Sequence, residues 1–365
     1  MGSAGQGEIL VMPEPSSDQQ IAFLTNLQRL LGEGSFVSTY KFCLLMALAD
    51  LSIELGRDDD SGLTLSTSQI AEKFIQYYWR QSAPYIPGNT AGLVLQQNPG
   101  KQAAIINLVQ ICHTRFQGSL SEARHNKQEW KQLVSKVASI VQVMPLWKLQ
   151  TVGSERLDFL YQNVGKGRQI TLNAGVAYCL RKYHPFVSDM VKGAWARYIR
   201  RFNGAALGDR ADLNEFLFGS ERANLNLVKP ILEEFQSGDC FYCQRPLKGL
   251  VAHVDHFIPW SRYSVDLGHN FVLAHATCNG KKSDRLASSE HLEAWAGYQV
   301  RHAKALAAEF DRAGVLNDFG SSVRIVDWAY TQTFVGNGLT WSRADQLQRL
   351  PLNWHQALAA FSMVA

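Results

Sequence analysis

Four potential metal ligands occur as two pairs with the same spacing. Two residues separate Cys240 from Cys243, and two residues separate His275 from Cys278. Two thiolates at this interval can bind one tetrahedral metal ion from a tight turn, and a second pair completes its shell. In a chain without secretion features, clustered cysteines favour a metal over disulfides. The sequence therefore predicts a structural Zn²⁺ site; in the alternative, a degraded site, His275 faces solvent and no metal binds.

The segment between the two pairs carries a carboxylate next to an imidazole, Asp255 and His256, in the strand-like sequence AHVDHFIPW. A neutral imidazole accepts a proton near neutral pH. The predicted metal clip brings the amide of Asn279 close, and carboxylate and amide oxygens suit Mg²⁺ or Mn²⁺. One base and one hard divalent ion are a minimal set for phosphodiester hydrolysis, because the base activates water and the ion stabilises the leaving oxygen.

The order of these residues resembles the HNH, or ββα-metal, nuclease family over about residues 238–290. The matching positions are Cys240, Cys243, Asp255, His256, Asn270, Cys278, Asn279 and Lys282. The resemblance implies that His256 is the general base and that Asp255 and Asn279 bind the catalytic Mg²⁺ or Mn²⁺. It also implies that Asn270 orients the neighbouring loop or the His256 ring, and that the two cysteine-containing pairs form the structural zinc site.

Two positions depart from the usual pattern of that family. Asn279 stands where a histidine is often found, and His275 stands where a fourth cysteine is typical. The choice of base also has an alternative, His253, which precedes Asp255 by two residues. In a regular strand His253 shares a face with Asp255 rather than with His256, so His256 is the preferred base.

Basic residues near these motifs are candidates for contact with nucleic acid. Two lysines follow the second pair, and the segment 181–201 carries six basic residues interleaved with aromatic ones. For that segment the alternative is an amphipathic helix with its aromatic residues in the core and its basic residues in water. The predicted contacts are Lys281, Lys282, Arg262, Arg197, Arg200 and Arg201.

The rest of the chain shows mostly the periodicity of amphipathic helices. Helices are predicted at Gln19–Leu31, Thr39–Leu55, Ser66–Gln81, Gln102–Phe116, Ser121–Val143 and Val176–Phe202. Thr39–Leu55 is mostly apolar, which predicts a buried central helix. Residues 157–162 and 168–172 alternate around 163–166, which predicts a hairpin. The run GRDDDSG is predicted to be a solvated loop, and TLSTSQIAEKFIQYYW to be a packing helix rather than a DNA-reading one.

These patterns predict a mostly α protein in four parts. A helical N-terminal domain with a small hairpin covers residues 1–205, and a helical connector covers 206–235. The zinc-stabilised ββα-metal module covers 236–295, and a C-terminal helical region covers 296–365.

Composition limits the classes of protein to which this chain can belong. Hydrophobic residues are 46% of the 365, which supports sizeable cores and excludes a disordered tail. The net charge of +4 permits an anionic partner without requiring one. No signal peptide and no apolar run long enough for a membrane span are visible. We expect a cytoplasmic protein without a membrane partner.

Together these features predict a metal-dependent endonuclease that cuts DNA. The helical N-terminal domain would supply target choice or regulation, and the architecture is analogous to restriction or phage-defence nucleases, with other defence proteins as partners. Three alternatives remain: a nuclease that acts on RNA, a non-catalytic zinc module that binds nucleic acid or protein, and a toxin-like effector silenced by a partner.

Overall fold

The structure, a computed structural model, is mostly helical. It describes residues 13–85, 92–162, 167–207, 213–219, 222–249 and 251–361. In this part of the chain, no helix has both the length and the apolar character needed to cross a bilayer. The chain divides into two compact units, of which the first comprises Met1–Phe74 with Ser135–Tyr198 and the second comprises Ile75–Val134 with Ile199–Ala365. The four-part domain division made from the sequence stays a prediction.

The helices follow one another along the chain as α1 (Ser17–Glu33), α2 (Tyr40–Leu55), α3 (Thr67–Gln81), α4 (Ala104–Arg115), α5 (Leu120–His125), α6 (Lys127–Val143), α7 (Pro145–Lys148), α8 (Val176–Lys182), α9 (His184–Leu207), α10 (Leu213–Phe218), α11 (Arg222–Phe235), α12 (Ala276–Lys282), α13 (Ser289–Arg312) and α14 (Phe319–Val335). The strands are β1 (Leu63–Ser66), β2 (Thr151–Val152), β3 (Glu155–Arg156), β4 (Gln169–Leu172), β5 (Ala252–His256), β6 (Phe271–His275), β7 (Leu339–Arg343) and β8 (Gln346–Arg349). Short 3₁₀ helices lie at Gly268–Asn270 and Trp354–Phe361.

The first unit is built around α2, as its mostly apolar sequence predicts. Every residue of α2 from position 41 to position 54 is buried, because a helix with apolar residues on all sides must be surrounded by other elements. Its few charged residues are buried as well, and Glu54 pairs with Lys73 at 2.7 Å. Its Phe42 stacks on Phe36 with ring centroids 4.2 Å apart, and also on Trp195 at 6.4 Å. The prediction of a buried central helix is therefore confirmed.

The predicted hairpin at 157–172 is present only as a single bridge in the described residues. β4 pairs in antiparallel register with β1, in which Leu65 lies opposite Ile170. Residues 157–162 contribute only the bridge from Tyr161 to Leu172, and the predicted turn at 163–166 lies outside the described residues. Alternation of apolar and polar residues identifies a strand but not the strand with which it pairs. Here β4 pairs with the distant β1, and this pairing buries Leu65 and Leu172 completely.

In the second unit, the C-terminal region contains a β-hairpin as well as helices. β7 and β8 pair through a tight turn in which Ala344 has a φ of 47°. The sequence predicts a C-terminal helical region after residue 296, and the structure departs from this prediction at 339–349. The hairpin forms because the backbone N–H of Trp341 donates to Leu286 O at 2.8 Å and Ser288 N–H donates to Trp341 O at 2.7 Å. Sequence periodicity alone does not reveal such tertiary anchoring.

The acidic run after α2 is partly a structural element. Asp58 accepts two hydrogen bonds of 2.8 Å from the guanidinium of Arg181. The same buried guanidinium donates to the carbonyls of Ser52 and Ile53, at 3.2 and 2.8 Å. Arg181 thus donates to two carbonyls in the last turn of α2, where a helix runs out of internal donors; of the two, Ser52 O also accepts from the backbone N–H of Gly56 at 2.9 Å. The prediction of a solvated loop is therefore wrong for Asp58.

We expect Arg181→Ala to lower the free energy of unfolding by about 3 kcal/mol, because it leaves the carboxylate of Asp58 without its two donors and removes a donor from the carbonyls of Ser52 and Ile53. Urea denaturation followed by tryptophan fluorescence measures this loss. The control is Arg29→Ala, which removes an exposed arginine paired with Glu155 and is expected to cost less than about 1 kcal/mol. Equal losses in the two variants would contradict a special role for Arg181.

Candidate active site and metal centre

Two strands and a helix position the residues that the sequence singled out. β5 and β6 are antiparallel, with Asp255 opposite Val272 and His256 opposite Phe271. α12 begins immediately after β6, so that His275 ends the strand and Cys278 lies in the first turn of the helix. All residues of β6 are buried, and this buried strand fixes the positions of His275 and Cys278.

The four predicted zinc ligands form one cluster. One ligand atom from each of Cys240, Cys243, His275 and Cys278 lies within 4.8 Å of the others. Ligands about 2.3 Å from a tetrahedral Zn²⁺ ion lie about 3.8 Å apart, so only small adjustments separate the cluster from a metal shell. Three thiols and one imidazole are a donor set that suits zinc.

The ring of His275 is oriented for ligation. It is 8% exposed, which contradicts the alternative in which it faces solvent. Its Nε2 lies 3.2 Å from the carbonyl oxygen of Pro246, and because a carbonyl can only accept, Nε2 carries the proton. Nδ1 is then the unprotonated nitrogen, and it lies 3.3 Å from the sulfur of Cys243. A backbone acceptor that fixes the tautomer in this way is typical of metal-binding histidines.

The thiols of the cluster differ in acidity. Burial acts to raise the pKa of Cys243, but hydrogen bonds from the backbone and side chain of Arg245 and from the cluster outweigh burial and lower it to about 6. Burial, followed by the charges of Cys240 and Cys243, raises the pKa of Cys278 to about 12. Adjacent thiolates repel each other, so the full ligand set requires a compensating cation.

Asp255 forms a buried ion pair. Its side chain is 7% exposed and that of Lys282 is fully buried. The Oδ2 atom of Asp255 lies 3.0 Å from the ammonium of Lys282 and accepts a hydrogen bond of 2.6 Å from the hydroxyl of Tyr242. Burial lowers the pKa of Lys282, and the charge of Asp255 opposes this shift. Oδ1 accepts no hydrogen bond from the described residues and is the carboxylate atom left for a hard cation.

His256 is paired with a carboxylate that sequence reasoning missed. Its Nε2 lies 2.7 Å from Oδ1 of Asp266, so Nε2 is the nitrogen that donates to this carboxylate. The half-buried ring packs against Trp260 and Phe271. Adjacent strand residues project to opposite faces, which explains why His256 and Asp255 have separate partners. Neither spacing nor alternation pointed to Asp266, because the turn that brings it back to His256 is irregular.

The two asparagines occupy different environments. Asn270 is buried and makes a two-way contact with Ile258: its Oδ1 accepts from the backbone N–H at 2.8 Å, and its Nδ2 donates to the carbonyl at 3.0 Å. It therefore holds the loop after β5. Asn279 is half-buried, and its amide makes no hydrogen bond within the described part of the chain. It precedes Lys282 by one helical turn, which places it on the side of α12 that faces β5.

Lysines 281 and 282 have different surroundings. Lys282 donates to the carbonyl of His256 at 2.8 Å in addition to its pairing with Asp255. Because it is fully buried, the expectation that it contacts phosphate does not fit the structure. Lys281 is exposed, and its ammonium pairs with Asp345 at 2.6 Å. Arg262, the third predicted contact in this unit, is half-buried and donates to the hydroxyl of Thr333 at 3.2 Å.

The three arginines of α9 that the sequence singled out lie on the surface, whereas two aromatic residues near them do not. Arg197, Arg200 and Arg201 are exposed. Trp195 is fully buried and Tyr198 is nearly so, which excludes the stacking of nucleic-acid bases on these two rings. The amphipathic-helix interpretation therefore accounts for Trp195 and Tyr198, and contact of the three arginines with nucleic acid stays a prediction.

Comparison with known families gives two matches in separate parts of the chain. A family model described as "Domain of unknown function (DUF8808)" matches residues 20–217. A model described as "HNH endonuclease" matches residues 240–285, which confirms the resemblance seen in the sequence. No curated protein and no solved structure gives a significant match.

We expect the purified protein to contain one Zn²⁺ ion per chain and Cys278→Ser to lose it, since three ligands bind a structural zinc weakly. Elemental analysis gives the metal content, and the Tm is expected to fall by about 5 °C or more. Cys112→Ser, which changes a half-buried thiol outside the cluster, is the control and keeps the metal. If treatment with a chelator removes the metal from wild-type protein and its Tm stays equal to that of the untreated protein, a structural zinc is contradicted.

Proposed function

Since the chain belongs to the DUF8808 family through residues 20–217 and carries an HNH endonuclease match at 240–285, we propose that it is a metal-dependent endonuclease that hydrolyses DNA. The observation that carries this proposal is the pairing of His256 with Asp266. A carboxylate that accepts from Nε2 fixes the ring and leaves Nδ1 as a proton acceptor. His256 is thus arranged as the general base that takes a proton from the attacking water.

We assign β5, β6 and α12 to the zinc-stabilised ββα-metal module. The cysteine–histidine cluster joins the turn at Cys240 to the start of α12, and the ion pair of Lys282 with Asp255 joins the end of the same helix to β5. These two attachments hold α12 against the strands at both ends. The zinc ion has a structural role, since all four ligand positions are filled by protein atoms.

The catalytic cation is assigned to Oδ1 of Asp255 and the amide oxygen of Asn279. Both are hard oxygen donors of the kind that bind Mg²⁺ or Mn²⁺. The bound ion supplies charge stabilisation to the leaving oxygen. Lys282 and Tyr242 hold the other carboxylate oxygen of Asp255, and Asn270 holds the loop that follows His256. Each of these contacts limits the movement of the reacting groups.

The remainder of the chain is assigned to target choice or regulation. A nuclease module with a helical region of its own is analogous to restriction and phage-defence systems in the cytoplasm, in which other defence proteins act as partners. This part of the proposal rests on architecture alone. The same part of the proposal includes contact of DNA with Arg197, Arg200 and Arg201 on α9.

One observation favours a second candidate function, a non-catalytic zinc module that binds nucleic acid or protein. The ammonium of Lys282 already compensates the charge of Asp255, so a divalent cation at this carboxylate must bind beside a positive charge. Such repulsion lowers the affinity for a metal. A module of this kind would keep the zinc cluster and would have no cleavage activity.

Purified protein is expected to cut plasmid DNA with Mg²⁺ or Mn²⁺, and His256→Ala is expected to lower the rate about a hundredfold or more, since it removes the general base. Gel electrophoresis of the products measures both rates, and EDTA abolishes cleavage. His253→Ala is the matched control, because it changes an exposed histidine of the same strand.

Cleavage that survives His256→Ala at the rate of wild type would refute this mechanism. Cleavage of RNA in preference to DNA would replace the proposed substrate. An absence of Mg²⁺-dependent cleavage in wild type would favour the non-catalytic module, in which Cys278→Ser unfolds the region while His256→Ala changes nothing.

Asp266 is expected to act as a positioning residue through His256. Asp266→Asn is expected to lower kcat on the order of tenfold with KM unchanged, because the ring loses its ionised acceptor while the DNA surface stays intact. Combining it with His256→Ala should add no further loss. A rise in KM with kcat preserved, or additive effects in the double variant, would show that Asp266 acts elsewhere.

A further inference from the structure

A cavity of about 770 Å³ lies between the cysteine turn, α12 and the β7–β8 hairpin. Each of these three elements contributes one basic side chain to its lining. Arg245 comes from the turn, Lys281 from α12 and Arg343 from β7. One carboxylate, that of Glu290, lines the same space. The convergence of cations from three separate elements indicates a site for an anionic ligand.

The second strand of the hairpin, β8, presents one face to this cavity. Gln346 and Gln348 of β8 line it, whereas Leu347 and Arg349 do not. Alternate residues of a strand project to opposite faces, so β8 has an amide-bearing face on the cavity and a different face away from it. Glutamine and arginine are among the side chains that contact phosphates and base edges in nucleic acids.

The walls of the cavity are held in place by hydrogen bonds. His291 Nε2 donates to the carbonyl of Ser342 at 2.7 Å, and the backbone of Trp341 is bonded on both sides, to Leu286 and Ser288. A groove whose walls are already ordered loses little conformational entropy when a ligand binds. The hairpin is therefore fixed before any ligand arrives.

The cavity adjoins the candidate active site through one residue. Tyr242 lines the cavity, and its hydroxyl donates to Asp255 at 2.6 Å. Lys281 of the lining is followed directly by Lys282, which binds the same carboxylate. The residues assigned to catalysis do not line the cavity themselves, so a polymer bound there lies beside the candidate active site and is separated from Asp255 by Tyr242.

An anionic ligand would break the exposed ion pair of Lys281 with Asp345 by replacing the carboxylate. Both oxygens of Asp345 lie within 2.7 Å of the ammonium, and Asp345 sits in the turn of the hairpin. Exposed pairs of this kind contribute little to stability, so a phosphate can replace the carboxylate at small cost. Asp345 stands where a phosphate oxygen would bind.

We propose that this cavity is a DNA-binding groove beside the candidate active site and that it takes the phosphodiester backbone of DNA, with Arg343 and Lys281 bound to phosphates. The proposal rests on the assignment of the protein as a DNA nuclease. Asp345 does not line the cavity, but it pairs with Lys281, which does, and so competes with phosphate for that ammonium. Removal of this acid therefore strengthens DNA binding, whereas removal of Arg343 weakens it.

The test measures fluorescence anisotropy of a labelled DNA duplex at several salt concentrations, on His256→Ala protein so that the DNA stays intact. Arg343→Ala is expected to raise Kd about tenfold and to reduce the slope of log K against log salt by about one. Asp345→Asn is expected to lower Kd several-fold and to steepen that slope. Arg349→Ala is the matched control on the other face of β8 and leaves Kd within about twofold.

Equal weakening by Arg343→Ala and Arg349→Ala would overturn the groove, since it would reflect general charge. Unchanged or weaker binding in Asp345→Asn would also overturn it. Cleavage by wild-type protein is measured separately. If cleavage occurs but the binding pattern fails, the groove alone is refuted; if the binding pattern holds without cleavage, the nuclease assignment alone is refuted.

Discussion

The ion pair between Lys282 and Asp255 is the contact on which the candidate site depends. A fully buried ammonium loses its hydration, and the loss is tolerated only when charged and polar partners replace water. Here the partners are the carboxylate of Asp255 and the carbonyl of His256. One side chain thus fixes the end of α12 to two consecutive residues of β5. Neither partner can move without leaving a charge uncompensated in the interior.

The two neighbouring residues of β5, Asp255 and His256, have different surroundings. Asp255 faces the interior, where Tyr242 and Lys282 hold one of its oxygens. His256 projects to the opposite face and is held by Asp266. In the proposed mechanism His256 is the general base and Asp255 is the metal ligand, and two such groups need different surroundings. The alternation of a strand separates them without any additional element.

The second unit surrounds this centre with elements whose role was not apparent from their own sequences. The hairpin β7–β8 is bonded to the segment between α12 and α13, and its turn reaches Lys281 through Asp345. The side chains that converge there are common in surface hairpins, and what distinguishes them is the cavity that they share with the cysteine turn. The role inferred for these side chains therefore follows from where they lie in the fold and not from their residue types.

The sequence by itself determined the four residues of the cysteine–histidine cluster, the HNH segment, the buried helix α2 and the mostly helical class, because each depends on local spacing or periodicity. The tertiary structure alone decided the partner of β4, the hairpin at 339–349, the burial of Lys282 and the pairing of His256 with Asp266. These are contacts between residues distant in sequence or joined by irregular turns. These contacts depend on which surfaces the folded chain buries against each other, and a local sequence pattern does not contain that information.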